Sequence, residues 1–361
     1  MKTATLVVIP TFFLLLFGGL GFERNLIELI GLIIAIISVF FVFLKNKKIS
    51  FPYGFSYFLV FFLLSFLSQV WSRAPQKGLE FLTLFASGGL FWVFFSNLEV
   101  DKRFKELFGW SLTILGLTFG LVYLFSLLLN EGLRWSFSLA IPYTQTHHHL
   151  GDYWVLPLLF LLTKIRKEGK PLHLLLIFLG VLILAFSLSR SSYVSLILGS
   201  LVVFHKKISS QVKLLLKRVV VFSIVVFLVA SLFKTTLYSR IYFLQGLLGI
   251  TQYPWGVGFG NFLIISREFV KTFSSQAIFS SLAHNIFLEV FVGMGILGVS
   301  FLSWFYLVSK KILENLSSEA LFTGMFFALS ANFFFDTTYM IPTMFWLWFM
   351  TLGLVKNEIQ R

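Results

Sequence analysis

The sequence predicts an all-α integral membrane protein, and three observations carry that reading. Hydrophobic residues make up 58% of the 361 positions and charged residues only 12%, about half the charged share of an ordinary soluble domain. Apolar segments recur along the whole chain, most of them close to the ~20 residues that a helix needs to cross a bilayer. The Lys and Arg behind the net charge of +14 sit mostly in short connections, where they read as topology determinants and not as a nucleic-acid surface. There is no cysteine, which excludes disulfides, thiol nucleophiles and Cys-ligated metal centres. One polytopic membrane domain over residues 1–361 is expected, with about twelve spans and both termini inside.

Taken in order, the first span is expected at about 4–21, because the run after Met1-Lys2 continues into Gly18-Gly19-Leu20-Gly21 without a small-residue cleavage pattern. A short turn, Phe22-Glu23-Arg24-Asn25, separates it from a second span at 26–44, and Lys45, Lys47 and Lys48 mark the inner side. Spans follow at about 55–71, 79–97, 108–129 and 150–163, with Asp101 to Lys105 and Lys164 to Lys170 as basic inner loops. As one helix the run from Pro171 to Phe204 would reach ~51 Å, too long for a hydrocarbon layer of ~30 Å. It is therefore divided at Ser189-Arg190-Ser191-Ser192, which puts Arg190 at an outer turn. After a basic inner loop, His205 to Arg218, a ninth span is expected at 219–233 and a large outer loop at 234–283. Spans ten to twelve lie at about 284–308, 319–335 and 340–355, with Asp336 to Tyr339 as a short outer turn and Lys356 ending the last.

The outer-side polar residues are what topology does not explain. A guanidinium offers forked donors matched to phosphate oxygens and keeps its charge at any relevant pH, so Arg190 and Arg240 are candidate ligands for a diphosphate. Snorkelling or ion pairing is the competing reading of each. Arg267 and Lys271 are weaker candidates of the same kind. His284 has the near-neutral pKa of a general base. It is read as opening span ten beside Asn285, sharing a helix face with Leu288, Phe291 and Gly295; a structural histidine is the alternative. Gly256, Gly258 and Gly260, after Pro254, lack the strand and helix of a dinucleotide fold, so they read as a tight backbone turn that approaches the membrane domain closely. Gly293, Gly295 and Gly298 suggest close helix packing. His147, His148 and His149 are adjacent and cannot readily share one ion, so no metal site is assigned. Asp152 is expected to partner a nearby His or Arg, and Glu28, Glu80, Glu289 and Asp336 to pair with basic side chains.

These motifs converge on a resemblance to the bacterial O-antigen ligase and O-antigen polymerase superfamily of membrane glycosyltransferases. The ligase pattern, His then Asn, Ser or Gln, nine residues, Gly, two residues and Gly, Thr or Tyr, is met by His284, Asn285, Gly295 and Gly298. Ser189-Arg190-Ser191 is similar to the arginine motif before the eighth span. Arg240, and Pro254 with Gly256-Val257-Gly258-Phe259-Gly260-Asn261-Phe262, resemble the markers of the large periplasmic loop. The resemblance implies a GT-C-like enzyme of a bacterial inner membrane with its active site facing the periplasm and no cofactor. It would transfer O-antigen from a polyprenyl (undecaprenyl) diphosphate donor to the lipid A core, with inversion and without a metal. Arg190 and Arg240 would hold the diphosphate, His284 would be the base, and Asn285, Gly258, Gly260 and Asp152 would support them. A polymerase extending polyprenyl-linked repeat units and a twelve-span transporter or flippase are the alternatives. No nucleic-acid partner is expected.

Overall fold

A computed structural model describes residues 10–17, 24–129, 147–187, 189–206, 238–272, 278–316 and 320–359. The expected ninth span, most of the first and the connection at 130–146 lie outside the described residues. Within them the protein is all-helical. After a helical stretch at 10–17 come α1 (Arg24–Asn46), α2 (Phe55–Leu67), α3 (Pro75–Ser96), α4 (Lys102–Leu129), α5 (His147–Glu168), α6 (Pro171–Ser187) and α7 (Arg190–Val203). Then follow α8 (Tyr238–Gln252), α9 (Phe262–Glu268), α10 (Ile286–Met294), α11 (Val299–Glu314), α12 (Leu321–Phe335) and α13 (Pro342–Ile359).

Among the described residues four helical stretches are long and apolar enough to cross a membrane: Asn25–Asn46, Pro75–Ser96, Lys102–Val122 and Ile286–Glu314. Phe55–Trp71, Pro171–Ser187, Arg190–Val203 and Leu321–Phe335 are shorter apolar helices. The run from Pro171 to Phe204 is indeed two helices. On α1, Leu29, Ile33, Ile37, Phe40 and Leu44 are all exposed, and a surface so uniformly apolar suits hydrocarbon and not water.

The chain forms two compact units. The first comprises Met1–Phe55, Thr83–Val203 and Lys310–Arg361. In it α12 lies along α7, and α5 packs on α4, α6 and α7. The α7–α12 crossing depends on glycine: a Cβ on Gly324 would fall 2.4 Å from Val203 Cγ2 and 2.8 Å from the Gly199 carbonyl oxygen. Such bare surfaces let helices approach closely where lipid supplies no hydrophobic drive. The aromatic side chains carry their polar atoms to partners as burial requires. Trp154 Nε1 donates to the Gly116 carbonyl at 3.1 Å, Tyr153 Oη to Leu112 at 2.9 Å, Trp346 Nε1 to Ser87 Oγ at 2.9 Å and Trp348 Nε1 to Ser330 Oγ at 2.8 Å.

The first turn of α12 is capped from elsewhere. Its N-cap residue, Ala320, has no side chain able to accept. Glu358, just beyond the Lys356 that ends the last apolar stretch, accepts from Phe322 N at 3.0 Å, Thr323 N at 3.1 Å and Thr323 Oγ1 at 2.9 Å. This meets the unsatisfied donors of a helix start.

The second unit comprises Ser56–Leu82 and Phe204–Ser309. The described part of the expected loop over 234–283 is not irregular: it contains α8 and α9. These close over a core of Val257, Phe262, Ile265, Ala283, Leu288 and Val292, with Tyr242, Phe243 and Tyr253 packed against it. Fully burying a side chain such as Phe262 or Ile265 contributes roughly 1.5–3 kcal/mol, which is how so short a helix as α9 is held.

Candidate active site

In the second unit the Pro254–Phe262 run and the His284–Gly298 run are one construction. Val257 N donates to the Val292 carbonyl at 3.1 Å, Gly258 N to Gly293 at 2.9 Å and Ile296 N to Pro254 at 2.8 Å. The glycines make this main-chain contact possible. Gly295 has φ 57° and a Cβ there would fall 2.0 Å from the Pro254 oxygen; Gly258 has φ 96° and a Cβ there would fall 2.4 Å from Ser72 Cβ. Gly260, also at positive φ, lies against Phe81 and the Lys77 carbonyl. The tight turn after Pro254 is therefore as expected. The glycines at 293 and 295 serve a different end from the one expected of them: they admit a loop backbone and not a neighbouring helix.

The seam continues to the segment after α2. Phe259 N donates to Ser68 Oγ at 3.1 Å, Gln69 Nε2 to the Phe259 carbonyl at 3.3 Å, Trp71 Nε1 to the Trp255 carbonyl at 3.1 Å and Asn261 Nδ2 to Ser72 Oγ at 2.8 Å. These partners make use of backbone groups that the turn leaves outside any helix.

His284 is not on the helix. Asn285 is the N-cap, with extended backbone (φ −163°), and its Oδ1 accepts from Leu288 N at 3.0 Å. Glu289 reaches back so that its Oε2 accepts from Ala283 N at 2.8 Å. The chain is thus gripped on both sides of His284, whose φ is 54°. A non-glycine residue in this left-handed region costs about 1 kcal/mol or more. Its ring, half-buried, stacks on Tyr242 with centroids 5.1 Å apart and planes at 18°. Tyr242 belongs to α8, and Arg240 lies in the first turn of that helix, two residues earlier. The shared helix face expected for His284, Leu288, Phe291 and Gly295 is therefore absent, because an asparagine immediately before Ile286 starts the helix one residue too late for His284 to join it.

Sequence reasoning missed the parts that Glu289 and Tyr242 play in this arrangement. Asn285 and Glu289 follow capping-box grammar with one extra residue, a readable signal, and the Oε2 of Glu289 takes a backbone N–H. Nothing local marks Tyr242 as the stacking partner. Of the weaker candidates, Arg267 lies over the Phe279 ring at 5.8 Å and Lys271 is exposed.

In the first unit Arg190 is the first residue of α7 and is exposed. Ser189 caps that helix, accepting from Ser192 N at 3.2 Å. Behind the turn, Asp152 of α5 is 1% exposed. Its Oδ1 accepts from Ser189 Oγ at 2.8 Å, Ser191 Oγ at 2.9 Å and Ser192 Oγ at 2.5 Å. The expectation that Asp152 would partner a His or Arg is corrected: three hydroxyls clustered on one helical turn offer donors at no cost in buried positive charge. Asp336 does meet a histidine, with His149 Nε2 at 4.0 Å, and also takes a 3.4 Å bond from Ser191. Glu80 pairs with Lys77 at 3.1 Å. Asp152 is in effect the anchor of the serine turn that presents Arg190.

No protein-family model matches this chain, and no curated protein matches it.

Proposed function

We propose that this chain is a membrane glycosyltransferase of about twelve spans, set in a bacterial inner membrane. It transfers O-antigen from a polyprenyl diphosphate to the lipid A core oligosaccharide at the periplasmic face. Support comes chiefly from one observation. His284 stands outside its helix, pinned on both sides through Asn285 and Glu289, with its ring laid on the α8 residue two positions after Arg240. A histidine held this way at a cost in backbone strain fits a reacting group better than a packing residue.

In the proposed reaction the acceptor hydroxyl attacks the anomeric carbon of the donor from the face opposite the diphosphate. The new carbon–oxygen bond forms as the anomeric carbon–diphosphate bond breaks, so the configuration inverts. The electron pair leaves on the diphosphate, whose growing charge Arg190 and Arg240 stabilise, and His284 takes the hydroxyl proton. Asp152 keeps the Arg190 turn in place, and Gly258 and Gly260 keep the loop backbone against its neighbours.

The test is a reconstituted assay with one purified polyprenyl-linked glycan, run with and without lipid A core. Product on lipid A is expected, lost in His284→Ala and reduced in Arg190→Ala and Arg240→Ala. A ladder of longer polyprenyl glycans would assign a polymerase instead, and near-normal turnover of His284→Ala would remove His284 as the base.

A further inference from the structure

At the other end of the first unit, about 18 Å along α5 from Asp152 to Lys164, lies a cavity of about 450 Å³. It is lined by Lys102, Lys105, Arg166, Lys167 and the buried Lys164, together with the two carboxylates Glu106 and Glu168. Its floor is apolar, built from Phe160, Val203, Ala320 and Leu321. The positive-inside rule explains why basic residues gather at this end of the bundle. It does not explain why residues from α4 and α5 converge on one concavity whose base is hydrophobic and includes the start of α12.

The two carboxylates are already engaged. Lys164, almost fully buried, bonds Glu106 at 3.1 Å and Glu168 at 2.5 Å, and Lys170 adds a 3.1 Å contact to Glu168. Bonds to Lys164 and Lys170 hold Glu168 down at about 2. Burial works against the Lys164 ammonium, but its bonds to Glu168 and Glu106 outweigh that and raise it. Lys102, Arg166 and Lys167 are at the exposed rim. By composition the lining carries five basic side chains to two carboxylates above an apolar floor, which is the complement of an amphiphile whose head is an anion. Basic pockets at the inner ends of transmembrane helices take phosphate headgroups on this principle.

We propose that this cavity binds a phosphate group, carried by an anionic membrane lipid whose acyl chain lies along the Phe160–Val203–Leu321 floor. The site is independent of the transfer reaction and its test reads binding alone. The purified full-length chain in detergent is titrated with phosphatidylglycerol and with phosphatidylcholine of matched chains, and bound lipid is counted by native mass spectrometry. Preference for phosphatidylglycerol is expected. Each basic residue near an anionic headgroup changes affinity about fivefold, so Lys102→Gln/Arg166→Gln/Lys167→Gln should lose about a hundredfold. The control Lys45→Gln/Lys47→Gln/Lys48→Gln, away from the cavity, should bind as the parent does. Equal affinity for the two lipids, or equal loss in the two triple variants, overturns the proposal. Inorganic phosphate is the competing probe: resistance to it at millimolar concentration supports the lipid source, and full displacement reassigns the site to free phosphate. Should the triple variant fail to fold, Lys102→Gln alone is expected to weaken phosphatidylglycerol about fivefold, and an unchanged affinity counts against the site.

Discussion

Replacing His284 by glycine and by alanine separates its backbone role from its chemical one. At φ 54° an alanine retains a strain of about 1–2 kcal/mol that glycine does not feel. Glycine in turn carries an extra conformational entropy cost of about 0.5–1 kcal/mol. Both variants lose the stack on Tyr242 (5.1 Å, 18°), worth about 1 kcal/mol. The alanine variant should thus lie about 1 kcal/mol below the parent, and the glycine variant roughly 0.5–1 kcal/mol above the alanine one. This reverses the usual order at ordinary backbone angles. Thermal or denaturant unfolding in detergent, followed by tryptophan fluorescence, reads the difference. An alanine variant as stable as the glycine variant, or more so, would refute the left-handed geometry. In the transfer assay both should be inactive, so a stable, inactive glycine variant shows that the imidazole is needed for more than folding.

Glu358 makes stability depend on pH. Burial pushes its carboxyl from 4.5 up to about 7, against the lowering effect of the Phe322 and Thr323 donors and of Lys105. The folded state then binds more protons than the unfolded one between those values, so its contribution is greatest below pH 4.5 and falls by roughly 3 kcal/mol as pH rises through 7. Unfolding measured from pH 4 to 8 should show that slope in the parent and a flatter one in Glu358→Gln; parallel profiles would exclude the carboxyl as its source. Asp152→Ala removes the acceptor of three serine hydroxyls and should cost about 3 kcal/mol, whereas Asp152→Asn, which keeps the Oδ1 acceptor, should cost under about 1 kcal/mol. Equal losses in a melting comparison would show that the serines do not depend on that oxygen.

What the sequence made legible is what length and solvent impose. The division near Arg190 followed from a run too long for a bilayer, and α6 and α7 do part there. The turn at Gly256–Gly260 followed from residues that alone tolerate positive φ without penalty. His284 lies off the helix for a local reason: span periodicity runs straight through Asn285, but an asparagine before an apolar run is a helix start signal. Asp152 shows that a buried carboxylate can be served without a cation: serines at 189, 191 and 192 fall on one turn and supply three donors. Tyr242, Glu358 and the basic cavity were not legible, since each depends on partners brought together by tertiary folding. Lys164 illustrates the limit: its position gave topology, and its bond to Glu168 is an i,i+4 pair readable along α5, while its bond to Glu106 needed the packing of α4 on α5.

The seam between the Ser68–Ser72 segment and the Trp255–Asn261 turn has a consequence for how the chain is made. Its bonds join residues separated by 184 to 191 positions. At translation speeds of 5–20 residues per second, the hydroxyl of Ser68, the amide of Gln69 and the indole of Trp71 emerge about 10–40 s before the main-chain groups that satisfy them. During that interval Ser68 Oγ can donate to the Ser65 carbonyl at 2.7 Å and Gln69 Nε2 can reach the same carbonyl at 3.4 Å, while the bonds to the turn are still unmade. The turn is consequently among the last parts of its unit to close, and a chain halted before residue 255 would carry this polar edge open in the membrane.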